Sequence, residues 1–91
     1  MDLNLVRVFV AIYEMKNLTA AAERLFVTQS AVSQSLAKLR ATLDDELFIR
    51  RGGVMEPTSF ATGAYPQFRD ALSAIERVTG RVEPFDPATT T

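Results

Sequence analysis

The sequence predicts a mainly α-helical domain carrying one small β-hairpin, and three features of its pattern lead there. Apolar residues recur at helical spacing in four stretches: Leu5, Phe9, Ile12 and Tyr13; then Leu18, Ala21, Ala22 and Leu25; then Val32, Leu36, Leu39 and Leu43; and finally Phe60, Ala64, Phe68, Leu72, Ile75 and Val78. A capping side chain precedes each stretch: Asp2, Asn17 or Thr19, Thr28, and Thr58. Between the third and fourth stretches, Leu47-Phe48-Ile49-Arg50 and Val54-Met55-Glu56 flank Arg51-Gly52-Gly53 and stop at Pro57, the pattern of a short hairpin.

In chain order, the first helix starts at Asp2 and is broken at Met15-Lys16-Asn17. The second is short, and its alanines let another helix approach closely. Thr28 opens the third, on which Val32, Leu36, Leu39 and Leu43 form one stripe, spaced by four, three and four residues. Two helices joined by so short a turn match the helix-turn-helix pattern, here at about 18–37. The hairpin then reads as a wing. In the last helix Pro66 either kinks the chain or marks the effective start. Gly80 and Pro84 end it, and PFDPATTT is a polar tail. The expected organisation is a winged unit over 1–58, a helix over 59–80 and a tail over 81–91.

At 91 residues the chain is one domain, near the size where a single core is adequate but thin. It has no cysteine and no histidine, which excludes disulfides, thiolate chemistry, histidine-ligated metal and histidine acid–base catalysis. No cofactor is expected. The N-terminus lacks a basic segment leading into an apolar core, and no apolar run approaches membrane-spanning length. A soluble cytoplasmic protein without membrane contact is the expectation. The net charge of −1 argues mildly against nucleic acid, but the distribution matters more. Between Lys16 and Leu43 the charges are Lys16, Arg24, Lys38 and Arg40 against Glu23 alone, followed by Asp44-Asp45-Glu46 and then Arg50-Arg51.

The third helix carries the functional signal. On a helical wheel Ser30, Gln34, Ala37, Lys38 and Ala41 lie opposite its apolar stripe, with Gln29, Ser33 and Arg40 on one flank. An ordinary solvent face would use Glu and Lys, which form helices well and pair four residues apart. This face holds no acid. A helix entering the DNA major groove needs such a surface: short side chains admit the backbone, amides and hydroxyls read base edges, and carboxylates would repel phosphate. Each feature has a plainer reading taken singly. Ser/Gln faces also meet solvent, Ala21-Ala22-Glu23-Arg24-Leu25 is a packing pattern, and Arg50-Arg51 beside two glycines suits a solvated turn. The combination of a short Ala-rich helix, an acid-free helix and a basic hairpin favours DNA.

These stretches also resemble a known family. Phe9-Val10-Ala11, Ala21-Ala22-Glu23-Arg24-Leu25, Thr28-Gln29-Ser30-Ala31-Val32-Ser33, Leu36, Leu39-Arg40, Leu43 and Leu47-Phe48-Ile49-Arg50 are similar, in register, to the N-terminal domain of LysR-type transcriptional regulators. The likeness covers about residues 1 to 80. It implies a winged helix-turn-helix followed by a linker helix that pairs two subunits. Ser30 stands where the family usually has proline, Ala61 where many members have glycine, and Arg51-Gly52-Gly53 is a variant wing tip. The segment 85–89 resembles the junction of a nodulation- and aromatic-degradation-regulator branch, where it leads into an effector-binding domain. By that resemblance the chain is the DNA-binding portion of a regulator about three times as long.

The resulting expectation is sequence-specific binding of double-stranded DNA, as a homodimer on an imperfect inverted repeat. Ser30, Ser33 and Gln34 are the candidates for base edges, with Gln29 close to both base and backbone. Thr19, Thr28 and Lys38 are expected on phosphates, and Arg50 with Arg51 on backbone or minor groove. Phe60, Phe68, Leu72, Ile75 and Val78 are expected to dimerise. For the intact protein, higher oligomers and a contact with RNA polymerase are further implications. Two rivals are weaker. A protein-interaction module would explain the last helix but not the acid-free face. RNA binding would call for stacking aromatics among the basic residues. Asp44-Asp45-Glu46, the only acidic cluster, is expected to be a solvated turn rather than a metal site or a catalytic one.

Overall fold

The computed structural model describes residues 1–79; the expected helix stop at Gly80 and the tail over 81–91 lie outside the described residues. The element order is α1 (Leu3–Met15), α2 (Leu18–Leu25), α3 (Gln29–Leu43), β1 (Phe48–Arg51), β2 (Val54–Pro57) and α4 (Ser59–Thr79). α1 is the centre, with α2, α3 and α4 packed around it and β2 touching it from the wing.

Capping explains where the helices begin. Asp2 accepts from the Asn4 N–H at 2.9 Å, Thr28 from the Ala31 N–H at 3.1 Å, and Thr58 from the Ala61 N–H at 3.1 Å. At α2 the cap is Asn17, which accepts from the Ala20 N–H at 2.8 Å; this leaves the Thr19 hydroxyl for other use. The first three helices end on left-handed residues: Lys16 (φ 57°), Phe26 (φ 60°) and Asp44 (φ 53°). Glycine is the usual occupant of that position; here each residue's backbone N–H donates back into its helix, Lys16 to the Ile12 carbonyl, Phe26 to those of Ala22 and Glu23, and Asp44 to that of Arg40.

Leu47 is also left-handed, at φ 66°, and this moves the start of β1 from the expected Leu47 to Phe48. Neighbouring strand residues face opposite sides. The twist at Leu47 breaks that rule, so Leu47 and Phe48 both reach the core. β1 and β2 pair antiparallel with Phe48 opposite Pro57 and Arg51 opposite Val54, so Pro57 closes the strand rather than following it. The tip is a two-residue turn in which Gly52 (φ 56°) and Gly53 (φ 83°) both need positive φ, the reason both are glycine.

The core is apolar among the described residues, with Phe9, Ile12, Val32, Leu39, Leu47 and Phe48 its largest fully buried side chains. Phe9 sits at its middle: its ring lies 5.4 Å from Phe48 and 4.8 Å, edge-on, from Phe68 of α4. α4 begins at Ser59 and continues through Pro66, so Pro66 does not mark its start. Ala61, whose methyl group stands where many family members have glycine, is fully buried and adds to the core.

The last helix does not offer its apolar line to one surface. Ala64, Phe68 and Leu72 pack, half-buried, against this chain's own core. Phe60 remains 46% exposed, Ile75 40% and Val78 86%. Of the five residues expected to dimerise, two are therefore already engaged within the chain, and three stand open on α4.

Candidate nucleic-acid interface

α3 lies with Val32, Leu36 and Leu39 buried and Leu43 half-buried, which turns the opposite face outward. Thr28, Gln29, Ser30, Ser33, Gln34, Ala37, Lys38 and Ala41 are all exposed on it, as the periodicity predicts, and no acid interrupts them. The helix start adds donors. Thr28 satisfies the N–H groups of Ala31 and Val32, with its hydroxyl and its carbonyl respectively. The N–H groups of Gln29 and Ser30 come too early in the helix for an intrahelical partner, and the helix dipole makes that end positive. Serine in place of proline at 30 keeps one of those two donors, since proline has no N–H.

Arg40 does not belong to this surface. Its Nε donates to the Glu46 carbonyl and its Nη2 to the Phe48 carbonyl, both at 2.7 Å. These bonds fasten the wing to the end of α3, the Glu46 carbonyl also accepting from the Phe48 N–H at 2.7 Å. The acidic cluster is likewise structural rather than simply solvated. Asp44 caps α3, while Asp45 accepts from the Leu47 N–H at 2.9 Å and from the Thr58 hydroxyl at 2.7 Å. Asp45 thus joins the wing's root to the start of α4. No cluster of acids able to hold a metal ion occurs among the described residues.

The wing divides its two arginines. Register places Arg50 on the hairpin face shared with Phe48 and Met55, and Arg51 on the opposite face with Ile49 and Glu56. Arg51 forms a 3.3 Å ion pair with Glu56, whereas Arg50 is exposed and has no ion pair among the described residues. An exposed pair of this kind contributes little and exchanges readily, so Arg51 is restrained rather than consumed.

Two candidate residues touch each other. The Thr19 hydroxyl on α2 donates to Gln29 Oε1 on α3 at 2.8 Å, a link that residues ten apart on separate helices could not announce in sequence. A hydroxyl has one proton, so this bond leaves Thr19 none for a phosphate.

Away from α3, Glu14 of α1 accepts from Arg24 Nη1 of α2 at 2.7 Å and from the Tyr65 hydroxyl of α4, with Arg69 Nε at 3.6 Å. Burial alone would push the Glu14 carboxyl up; the bonds from Tyr65 and Arg24 and the charges of Arg24 and Arg69 outweigh it and hold it below the ordinary value. Burial, and then the Glu14 carboxylate, push the Tyr65 phenol up. Tyr65 also stacks on Tyr13 at 4.0 Å, with Lys16 Nζ 4.2 Å above the Tyr13 ring.

Set beside known proteins, residues 3–62 match the family described as bacterial regulatory helix-turn-helix protein, lysR family. The chain belongs to the LysR family. It is a winged helix-turn-helix DNA-binding domain, and not an enzyme. Nodulation protein D 2 of Rhizobium tropici is 42% identical over 88 residues, 97% of this chain and 28% of that protein. The transcriptional activator NahR of Pseudomonas putida is 38% identical over 89 residues, 98% of this chain and 30% of that protein. The LysR-family chain thus spans less than a third of these relatives. Among solved structures, a probable transcriptional regulator from Pseudomonas aeruginosa superposes with a TM-score of 0.82 at 43% identity, over 85% of this chain and 26% of that one. The DNA-binding domain of CbnR, crystallised with DNA, superposes with a TM-score of 0.80 at 28% identity, over 88% of this chain and 92% of that one.

Proposed function

We propose that this LysR-family domain reads an imperfect inverted repeat in double-stranded DNA as a homodimer, with α3 in the major groove and the wing on the backbone or in the minor groove. The observation that carries the reading is the exposed, acid-free face of α3, whose short side chains let a helix seat closely in a groove about 12 Å wide. Ser30, Ser33 and Gln34 take base edges, and Gln29 lies at the boundary of base and backbone. Thr28 and Lys38 hold phosphates beside the α3 N–H groups. Arg50 supplies the wing's charge, and Arg51 joins it on release from Glu56. The setting is the bacterial cytoplasm, and among the described residues no helix is long and apolar enough to cross a membrane. In the full-length regulator, an effector-binding domain, higher oligomers and contact with RNA polymerase complete the activity.

Reading and holding separate under mutation. Gln34→Ala is expected to change the preferred base at one position per half-site, with a penalty of about 1–3 kcal/mol there and little elsewhere. Arg50→Ala is expected to weaken all sequences nearly alike. It should also flatten the log–log salt dependence by about one unit per phosphate contact, or about two for a dimer with two wings. The measurement is binding to a selected operator and its single-base variants across a salt series. Reversal of the two patterns would reverse the assigned roles, and indifference to both would remove α3 from the groove.

Dimerisation is assigned to the open side of α4. Leu72 serves the core, so a charge there would damage folding as well as pairing. Ile75→Asp with Val78→Asp is the cleaner test, because both side chains already face solvent. Sedimentation is expected to show a monomer at concentrations where the parent associates. An unchanged association curve would place the interface elsewhere.

A further inference from the structure

Thr19 is the second residue of α2 and Gln29 the first of α3, so their bond spans the starts of the two helices that form the helix-turn-helix. The bond has a direction. The hydroxyl donates and the carboxamide Oε1 accepts, which assigns the two ends of the Gln29 amide. An amide otherwise offers one acceptor and two protons, and in that state it pairs best with adenine, giving a proton to N7 and taking one from N6.

We propose that Thr19 is a positioning residue that makes Gln29 a donor-only reader: it holds Oε1 toward α2 and presents the Nε2 protons to the DNA. The inference rests on the placement of α3 in the major groove and sharpens it. Oε1 keeps a second lone pair, but turned toward α2 it does not lie beside Nε2 on the adenine edge, so the favoured partners are edges that only accept, N7 and O6 of guanine or O4 of thymine. Three features favour the bond in a complex. Thr19 is β-branched, so its hydroxyl is held in few positions. Asn17 already caps α2, so no helical N–H competes for the Thr19 oxygen. Excluding water on docking strengthens a bond between two protein groups whose alternative partner was solvent.

The test is selection of bound sequences from a random duplex pool, with the chain as it stands, followed by affinities for single-base variants. The parent is expected to prefer guanine or thymine at one position per half-site. Thr19→Val, which keeps the shape and removes the hydroxyl, frees Oε1 and should shift that position toward adenine by about tenfold, within the range of one bidentate contact. Thr19→Ser retains the donor and should keep the parent's profile. Gln29→Glu still accepts from Thr19 but has no proton to give, so that position should lose its preference. An unchanged profile in Thr19→Val, or a uniform weakening of all sequences, overturns the proposal; the second result would make Thr19 a phosphate contact. A Gln29→Glu profile equal to the parent's overturns it too. Gln34→Ala is the control that separates the two ideas. If it changes base preference where Thr19→Val does not, the placement of α3 stands and the clip falls. If neither changes it, the placement itself has failed.

Discussion

Phe9→Ala is expected to cost about 3–5 kcal/mol, most of the stability available to a domain of this size. The ring is fully buried at the point where three elements meet: α1 supplies it, Phe48 brings the root of the wing to 5.4 Å, and Phe68 brings α4 to 4.8 Å. Truncation removes the transfer energy of the ring and leaves a cavity whose walls sit on different elements, so they cannot close together without shifting the wing or α4. Phe9→Leu keeps most of the volume and is expected to cost about 1.5 kcal/mol or less. Urea unfolding followed by circular dichroism gives both values. A loss below about 1 kcal/mol for Phe9→Ala would mean that the core collapses freely around the gap, contrary to the interlocked packing described.

The loss should reach function through geometry. Arg50 stands on the strand that Phe48 anchors, and Arg40 ties the same strand to α3. A loosened Phe48 therefore loosens the wing's angle to α3 before anything on the binding face is altered.

Phe9 was legible in the sequence because burial on a helix has a period, and Leu5, Phe9, Ile12 and Tyr13 display it. The same reasoning found the outward face of α3, since a missing acid is visible residue by residue. It could not choose between Asn17 and Thr19 as the cap of α2, because both are capping residue types flanking Leu18 and only backbone geometry decides. Nor could it see Leu47 in a left-handed conformation, where no glycine or asparagine marks the turn. The α4 line shows a different limit. A stripe reveals which residues are apolar but not which surface receives each, and here Phe68 and Leu72 go inward while Ile75 and Val78 stay open. The bonds of Arg40, Asp45 and Thr19 were hidden for one shared reason. Apart from the local bond of Asp45 to the Leu47 N–H, each runs to a group placed by the fold beyond its own helix, and neither spacing nor composition encodes that.

The cluster around Glu14 was hidden in the same way, with Tyr65 51 positions distant, and it carries the second large effect. Glu14→Ala is expected to destabilise the domain by about 1–2 kcal/mol, since half-exposed partners share their charge with solvent. The carboxylate is only 25% exposed, and its removal leaves the Tyr65 hydroxyl and the Arg24 guanidinium without their acceptor and Arg69 without its ion pair. The pH dependence follows from the shifts. Glu14 is held below its ordinary value of 4.5, so its contribution is present above that pH and is lost as the pH falls through the depressed value. Tyr65 is raised above 10.0, so its contribution is present below that pH and is lost as the pH climbs through the raised value. Stability should therefore run level between two shoulders. Glu14→Gln should abolish the acid shoulder. Tyr65→Phe should remove the alkaline shoulder and shrink the acid one, because Arg24 and Arg69 still hold the carboxylate down. Urea midpoints across a pH series measure all three curves, and a Glu14→Gln profile that overlays the parent's would show that the carboxylate contributes nothing. The cluster draws on α1, α2 and α4, so it links the helix-turn-helix to the helix proposed to pair two subunits. Loosening it should widen the range of half-site spacings the dimer accepts while leaving the base preferences of α3 as they were.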